Sequence, residues 1–117
     1  MMNKVVTFGE IMLRLGAPDY LRLVQSHQLD VSFAGAEANV AVSLSNYGIP
    51  TDYITCLPQN PMAEKCLREL RSYQVGTSHV QRGGKRMGIL FLETGSNARP
   101  SQVYYDRDYS AFATMSP

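Results

Sequence analysis

The chain has 117 residues, 44% of them hydrophobic and 18% charged, with a net charge of +1. That balance excludes a disordered segment, and the near-neutral charge gives no field for gripping nucleic acid or an acidic membrane surface. The length suits one small domain with a core of its own.

Lys4 to Phe8 is a short β-rich run closed by Gly9 and reads as a buried strand. Glu10 and Arg14 interrupt the apolar N-terminus, so it does not read as a signal peptide, and no apolar stretch approaches a bilayer span. Residues 11–15 stay extended. Residues 17–30 hold Pro18 and no clean period, which leaves loop or short strand open. Val31-Ser32-Phe33 is a strand leading into a turn at Gly35.

The next segment, GAEANVAVSLSNYG from Gly35 to Gly48, predicts a helix. Ala36, Val40, Leu44 and Tyr47 fall on one apolar stripe, expected to be buried, and Asn39, Ser43 and Asn46 on a polar face. Glu37 suits the positive end of the helix dipole, and Gly48 then Pro50 end the helix. Gly35 has no Cβ, so the chain can turn sharply and a ligand can come close. Asn39 is a weak helix former near that start. Two readings of it stand: a solvated polar residue, or a contact to a small polar ligand.

Thr51 to Leu57 is a second core strand ending at Pro58. Asn60 is a good N-cap with Pro61 at the first helical position. The helix buries Met62, Cys66, Leu67, Leu70 and Tyr73 and wets Glu64, Lys65, Arg68, Glu69 and Arg71. Gly76 follows, and His79 to Gln81 is a third strand. This alternation predicts an α/β layer with a parallel sheet. Met87–Glu93 and Gln102–Arg107 flank the turn-rich Gly95–Pro100 and predict an antiparallel pair in a separate small sheet. Three core strands are fewer than a doubly wound sheet usually needs, and Thr114 to Pro117 add no further element. The chain therefore reads as the front of a larger fold.

Cys56 and Cys66, the only cysteines, fall on a strand and a helix without metal-ligand spacing. They read as buried thiols in a reducing compartment, the cytoplasm. His27 and His79 are isolated, so no metal site is expected. Gly83-Gly84-Lys85-Arg86 lacks the spacing of a phosphate loop and reads as a basic turn.

Tyr105 and Arg107 are two apart on a strand and share a face. A phenol offers a hydrogen bond and a guanidinium a bidentate grip on a carboxylate, which suits a hydroxylated acid. A plain surface pair is the competing reading. Glu10, at a strand end where α/β sites lie, reads as structural or as lining a cleft.

Four stretches resemble the ribokinase-like (PfkB) carbohydrate kinase family, and within it the 2-keto-3-deoxygluconate kinases. They are Gly9-Glu10, GAEANVAVSLSNYG, RMGILFLE and RPSQVYYDRDYSA, and the likeness spans essentially the whole chain. It implies an α/β, ribokinase-like fold: a partial Rossmann-like parallel sheet with helices (core elements about 4–9 and 35–82) plus a small β-sheet lid (strands about 11–33 and 87–108). It implies ATP-dependent phosphorylation of 2-keto-3-deoxygluconate, with Gly35, Asn39, Tyr105 and Arg107 binding the sugar acid and Ala34, Glu10 and Leu90 as further cleft-lining candidates. ATP and Mg²⁺ serve the complete enzyme. The family's catalytic Gly-Ala-Gly-Asp block has no counterpart in this text. Residues 1–117 are thus expected to be the sugar-binding N-terminal part, with no catalytic residue, no metal and no cofactor bound alone, and inactive by themselves. Lid strands in such kinases pair between subunits, which implies a homodimer or higher oligomer, with no nucleic-acid or membrane partner.

Three departures stand out. Ala34 replaces the first of two glycines, Leu90 stands where some members place a second substrate tyrosine, and Pro58-Gln59-Asn60-Pro61 replaces a Gly-Asp pair. The first two bear on which sugar acid is taken. The alternatives are a fructokinase or other PfkB sugar kinase, which would not need Arg107, and a stand-alone lid, dimerisation or sugar-binding module without catalysis.

Overall fold

The computed structural model describes residues 4–96 and 99–115. β1 (Val5–Phe8) runs parallel to β4 (Thr51–Ile54), pairing Val5 with Thr51 through Phe8 with Ile54. After Thr55 the chain continues as β5 (Cys56–Leu57), which pairs in parallel with β6 (Gln81–Arg82). A parallel bridge from Asp52 to Gly76 joins the same side. Two helices complete this layer, α1 (Ala36–Asn46) and α2 (Pro61–Ser72). A second, four-stranded sheet has the order β3-β2-β7-β8. It is built from β2 (Met12–Gly16), β3 (Asp30–Ala34), β7 (Ile89–Glu93) and β8 (Gln102–Asp106). The β2–β7 pair is parallel and the two outer pairs are antiparallel. Residues 17–29 are mostly irregular, with one 3-10 turn at Leu23–Gln25.

α2 forms for the expected reasons. The Asn60 side chain accepts a hydrogen bond from the Ala63 N–H at 2.8 Å, and Pro61 opens the first turn. Ala63, Cys66, Leu67 and Leu70 are buried, whereas Tyr73, expected inside, is half-exposed. The core gathers Leu57, Leu67, Leu70, Val75 and Met87 around the fully buried Tyr53. The Tyr53 hydroxyl donates to the Gly9 carbonyl at 2.6 Å, and burial pushes its ionisation well above the ordinary phenol range. Burial likewise pushes the Cys66 thiol up to about 12, with Glu69 adding to the effect. Both cysteines are buried free thiols.

Several expectations need correction. The buried side of α1 is not the Ala36–Val40–Leu44–Tyr47 stripe. Ala38 and Ala41 face β1 and β4, while Val40 is half-exposed and Tyr47 is 81% exposed. Small side chains let the helix backbone sit close to the strands, and Val42 packs partly against the same core. β1 is not a buried strand either: Val5, Val6 and Phe8 are exposed. It pairs only with β4 among the described residues, so its other edge is open. The strand expected over 51–57 is interrupted at buried Thr55. The third core strand starts at Gln81 instead of His79, because a turn closed by the Val80 N–H on the Thr77 carbonyl takes up the preceding residues. The loop expected over Gly95–Pro100 includes Asn97 and Ala98, and the expected end of the chain includes Ser116 and Pro117; these four lie outside the described residues. No described helix is long and apolar enough to cross a membrane.

Candidate functional site

The chain passes between the two sheets at the end of β1, at the end of β3, before β7 and after β8. These crossings bring together residues far apart in sequence. They line a cavity of about 560 Å³ that includes Gly9, Glu10, Gly35, Tyr105, Arg107 and Phe112.

Two glycines make this close approach feasible. A Cβ on Gly35 would stand 2.6 Å from the Glu10 carbonyl oxygen and 3.2 Å from the Ile11 Cα. Both are backbone atoms and cannot swing away. A Cβ on Gly88 would stand 2.7 Å from Glu10 Oε2 and 2.8 Å from the Arg107 Cβ.

The polar groups are ordered around Glu10. Its side chain is 14% exposed. Oε2 accepts a hydrogen bond from the Ser110 hydroxyl at 2.8 Å, across a separation of 100 residues. Oε1 lies 3.9 Å from Arg107 Nη1, an ion pair longer than a hydrogen bond. The Arg107 guanidinium stands 5.4 Å from the centroid of the Tyr105 ring, a cation–π contact. Phe112, on the same wall, packs against Phe8 with centroids 5.4 Å apart.

Of the residues expected from sequence, the cavity brings together Gly35, Glu10, Tyr105 and Arg107. Asn39 is placed elsewhere. It lines a second cavity of about 350 Å³ that also includes Gly35, Asn46, Cys66, Glu69 and Tyr73. Ala34 ends β3 opposite Met12, and Leu90 is buried in β7 directly beside Tyr105. Neither is on the wall of the larger cavity. Register puts Arg14, Ser32, Leu90 and Tyr105 in one row, and paired residues share a face. Arg14 Nε donates to the Ser32 hydroxyl at 2.7 Å in that row.

Sequence reasoning missed the wall residues Phe8, Gly9, Met12, Ala36, Glu37 and Phe112, and also Ser110. The sequence reading of Glu37 rests on the helix dipole alone, yet its place two residues after Gly35 is a usable signal. Ser110 and Phe112 sit in a stretch without periodicity, and no local pattern reports a contact back to Glu10 and Phe8. The Gly83–Arg86 stretch is an irregular bend between β6 and β7, and Arg86 pairs with Asp106 at 3.0 Å.

Residues 2–117 match the profile described as pfkB family carbohydrate kinase. The chain belongs to the pfkB family of carbohydrate kinases. It is 36% identical over 117 residues to a 2-dehydro-3-deoxygalactonokinase of Haloferax volcanii, covering all of this chain and 37% of that protein. The solved 2-dehydro-3-deoxygluconokinase of Thermotoga maritima superposes with a TM-score of 0.95 at 48% identity, over 99% of this chain and 35% of that one. An uncharacterized sugar kinase of Pyrococcus horikoshii, solved in complex with ATP, superposes with a TM-score of 0.82 at 25% identity, over 96% of this chain and 36% of that one. The chain thus spans little more than a third of these relatives. The pfkB architecture matches the α/β, ribokinase-like fold expected from sequence: a parallel layer with helices, joined to a small mixed sheet.

Proposed function

We propose that this pfkB-family chain is the sugar-acid-binding part of a kinase that moves the γ-phosphate of ATP onto a hydroxyl of 2-keto-3-deoxygluconate (2-dehydro-3-deoxygluconate). The observation that carries this reading is the Arg107 guanidinium, over the Tyr105 ring in a cavity also lined by Gly35. A neutral sugar offers a guanidinium only single hydroxyl acceptors, whereas a carboxylate accepts two parallel hydrogen bonds from it. Relatives named for 2-dehydro-3-deoxy sugar acids support the same substrate class.

In this reading Arg107 holds the carboxylate, Tyr105 donates to a hydroxyl, and Gly35 lets the sugar lie against the backbone. Asn39, which lines the cavity on the other side of Gly35, is the fourth candidate contact. ATP, with Mg²⁺ to neutralise its phosphates, is the co-substrate. Phosphoryl transfer depends on positioning donor and acceptor together, so these 117 residues alone are expected to bind the acid weakly and transfer nothing. The complete kinase should release ADP with 2-keto-3-deoxygluconate at a kcat/KM about tenfold to hundredfold above that with fructose, the range that a hydrogen bond between charged groups contributes. A preference for fructose in that assay would leave the fructokinase alternative standing.

The small sheet also supports a partner. Leu15, Val31, Phe91 and Tyr104 form an apolar row on the face opposite Tyr105, and Val31 and Tyr104 are exposed. A second copy covering this face would make a homodimer. Light scattering on the complete kinase should give twice the monomer mass, and Val31→Glu should halve it. A monomer mass at every concentration would remove the proposal.

A further inference from the structure

Glu10 has a half-used carboxylate. Oε2 is held by the buried Ser110 hydroxyl, and Gly88 leaves the room that this oxygen occupies. Oε1 makes no hydrogen bond among the described residues and lies 3.9 Å from Arg107 Nη1. The side chain lines the same cavity as Tyr105 and Arg107. Oε1 is not a buried orphan but faces the cavity, and its separation from Arg107, beyond hydrogen-bond range, leaves space for a bridging group. The bridge must donate to Oε1 and accept from Nη1. A hydroxyl does both, and its oxygen fits about 2.7 Å from the first and 2.9 Å from the second.

We propose that Glu10 is a ligand-binding residue whose Oε1 accepts a hydrogen bond from a hydroxyl of the bound acid, between itself and Arg107. The inference rests on the sugar-acid reading and deepens it. Glu10 repels the ligand's carboxylate, so the acid enters with that group on the far side of Arg107 and a hydroxyl turned toward Glu10. The site thereby selects hydroxylated acids and fixes which end of the chain points outward.

The test is calorimetric titration of the complete kinase with 2-keto-3-deoxygluconate in the absence of nucleotide. Glu10→Gln keeps the size and an acceptor for Ser110 but removes the charge, and should weaken binding about tenfold, the worth of one charge-assisted hydrogen bond. The melting temperature of the unliganded protein should be unchanged. Glu10→Asp keeps the charge but draws the oxygens back, and should also weaken binding. It serves as the deciding variant if Glu10→Gln folds poorly. Binding within twofold of wild type by Glu10→Gln, or by Glu10→Asp when it must decide, overturns the proposal. A wild-type kinase that binds no 2-keto-3-deoxygluconate defeats the sugar-acid reading itself, and the role of Glu10 falls with it.

Discussion

Replacing Arg107 with alanine in the complete kinase is expected to raise KM for 2-keto-3-deoxygluconate about tenfold to hundredfold and to leave KM for ATP unchanged. A hydrogen bond to a charged group contributes about 1.5–3 kcal/mol, and each 1.4 kcal/mol is a factor of ten. The upper part of that range needs a desolvated site. Arg107 is 54% exposed, so solvent screening holds the effect toward the lower part unless the bound acid excludes water. The variant also leaves the Glu10 carboxylate with only the Ser110 hydroxyl, which makes the cavity more negative and adds to the loss. Arg107→Lys keeps the charge but loses the planar fork and its stacking on Tyr105, so it should recover only part of the affinity. Steady-state kinetics with both variants separates these terms. An unchanged KM in Arg107→Ala would take the guanidinium out of the binding site.

The second large effect is expected from a single methyl group. Gly35 is extended at φ −173°, a backbone conformation open to any residue, so its glycine is required for space alone. In Gly35→Ala the new carbon would meet the Glu10 carbonyl oxygen at 2.6 Å. Relief requires moving the 10–11 segment or the start of α1. Overpacking of this kind costs about 1–3 kcal/mol. The shift also carries Glu10, so affinity for the acid should fall together with stability. Gly83→Ala is the control, since a Cβ there meets nothing within 4 Å. Its stability should stay within about 0.5 kcal/mol of wild type, as for an ordinary surface substitution. Urea unfolding of the two variants makes the comparison. Equal stability of Gly35→Ala and wild type would show that the helix start and the 10–11 segment do not touch.

How much could be read beforehand depends on the range of each interaction. The start of α2 is local: Asn60, Pro61 and the Ala63 N–H are neighbours, so capping rules found it. Tyr105 and Arg107 share the cavity because the alternation of β8 carries on through the residue that follows it, again a local fact. The buried face of α1 was not legible, since its fully buried residues are alanines and hydropathy gives more weight to Val40 and Tyr47, which point outward. The open side of β1 was hidden for the converse reason: Val5, Val6 and Phe8 have the composition of a buried strand whether or not anything covers them. The ordering of Glu10 by Ser110 depends on the chain returning after 100 residues, which no window along the sequence contains. Asn39 lies beside Gly35, as the helix-start pattern places it, and the two share a second cavity.

The small sheet joins strands made at very different times. β2 and β3 form a hairpin-like antiparallel pair early in the chain, yet β2 also carries β7 on its other side. As the protein leaves the ribosome, β2 therefore presents a row of unpaired N–H and C=O groups until Ile89–Glu93 has been synthesised. A two-stranded pair holds weakly in water, so this edge is open to neighbouring nascent chains throughout that interval. Ribosome pausing between the codons for α2 and β7 would lengthen the exposure and raise aggregation, without changing a single residue of the finished protein.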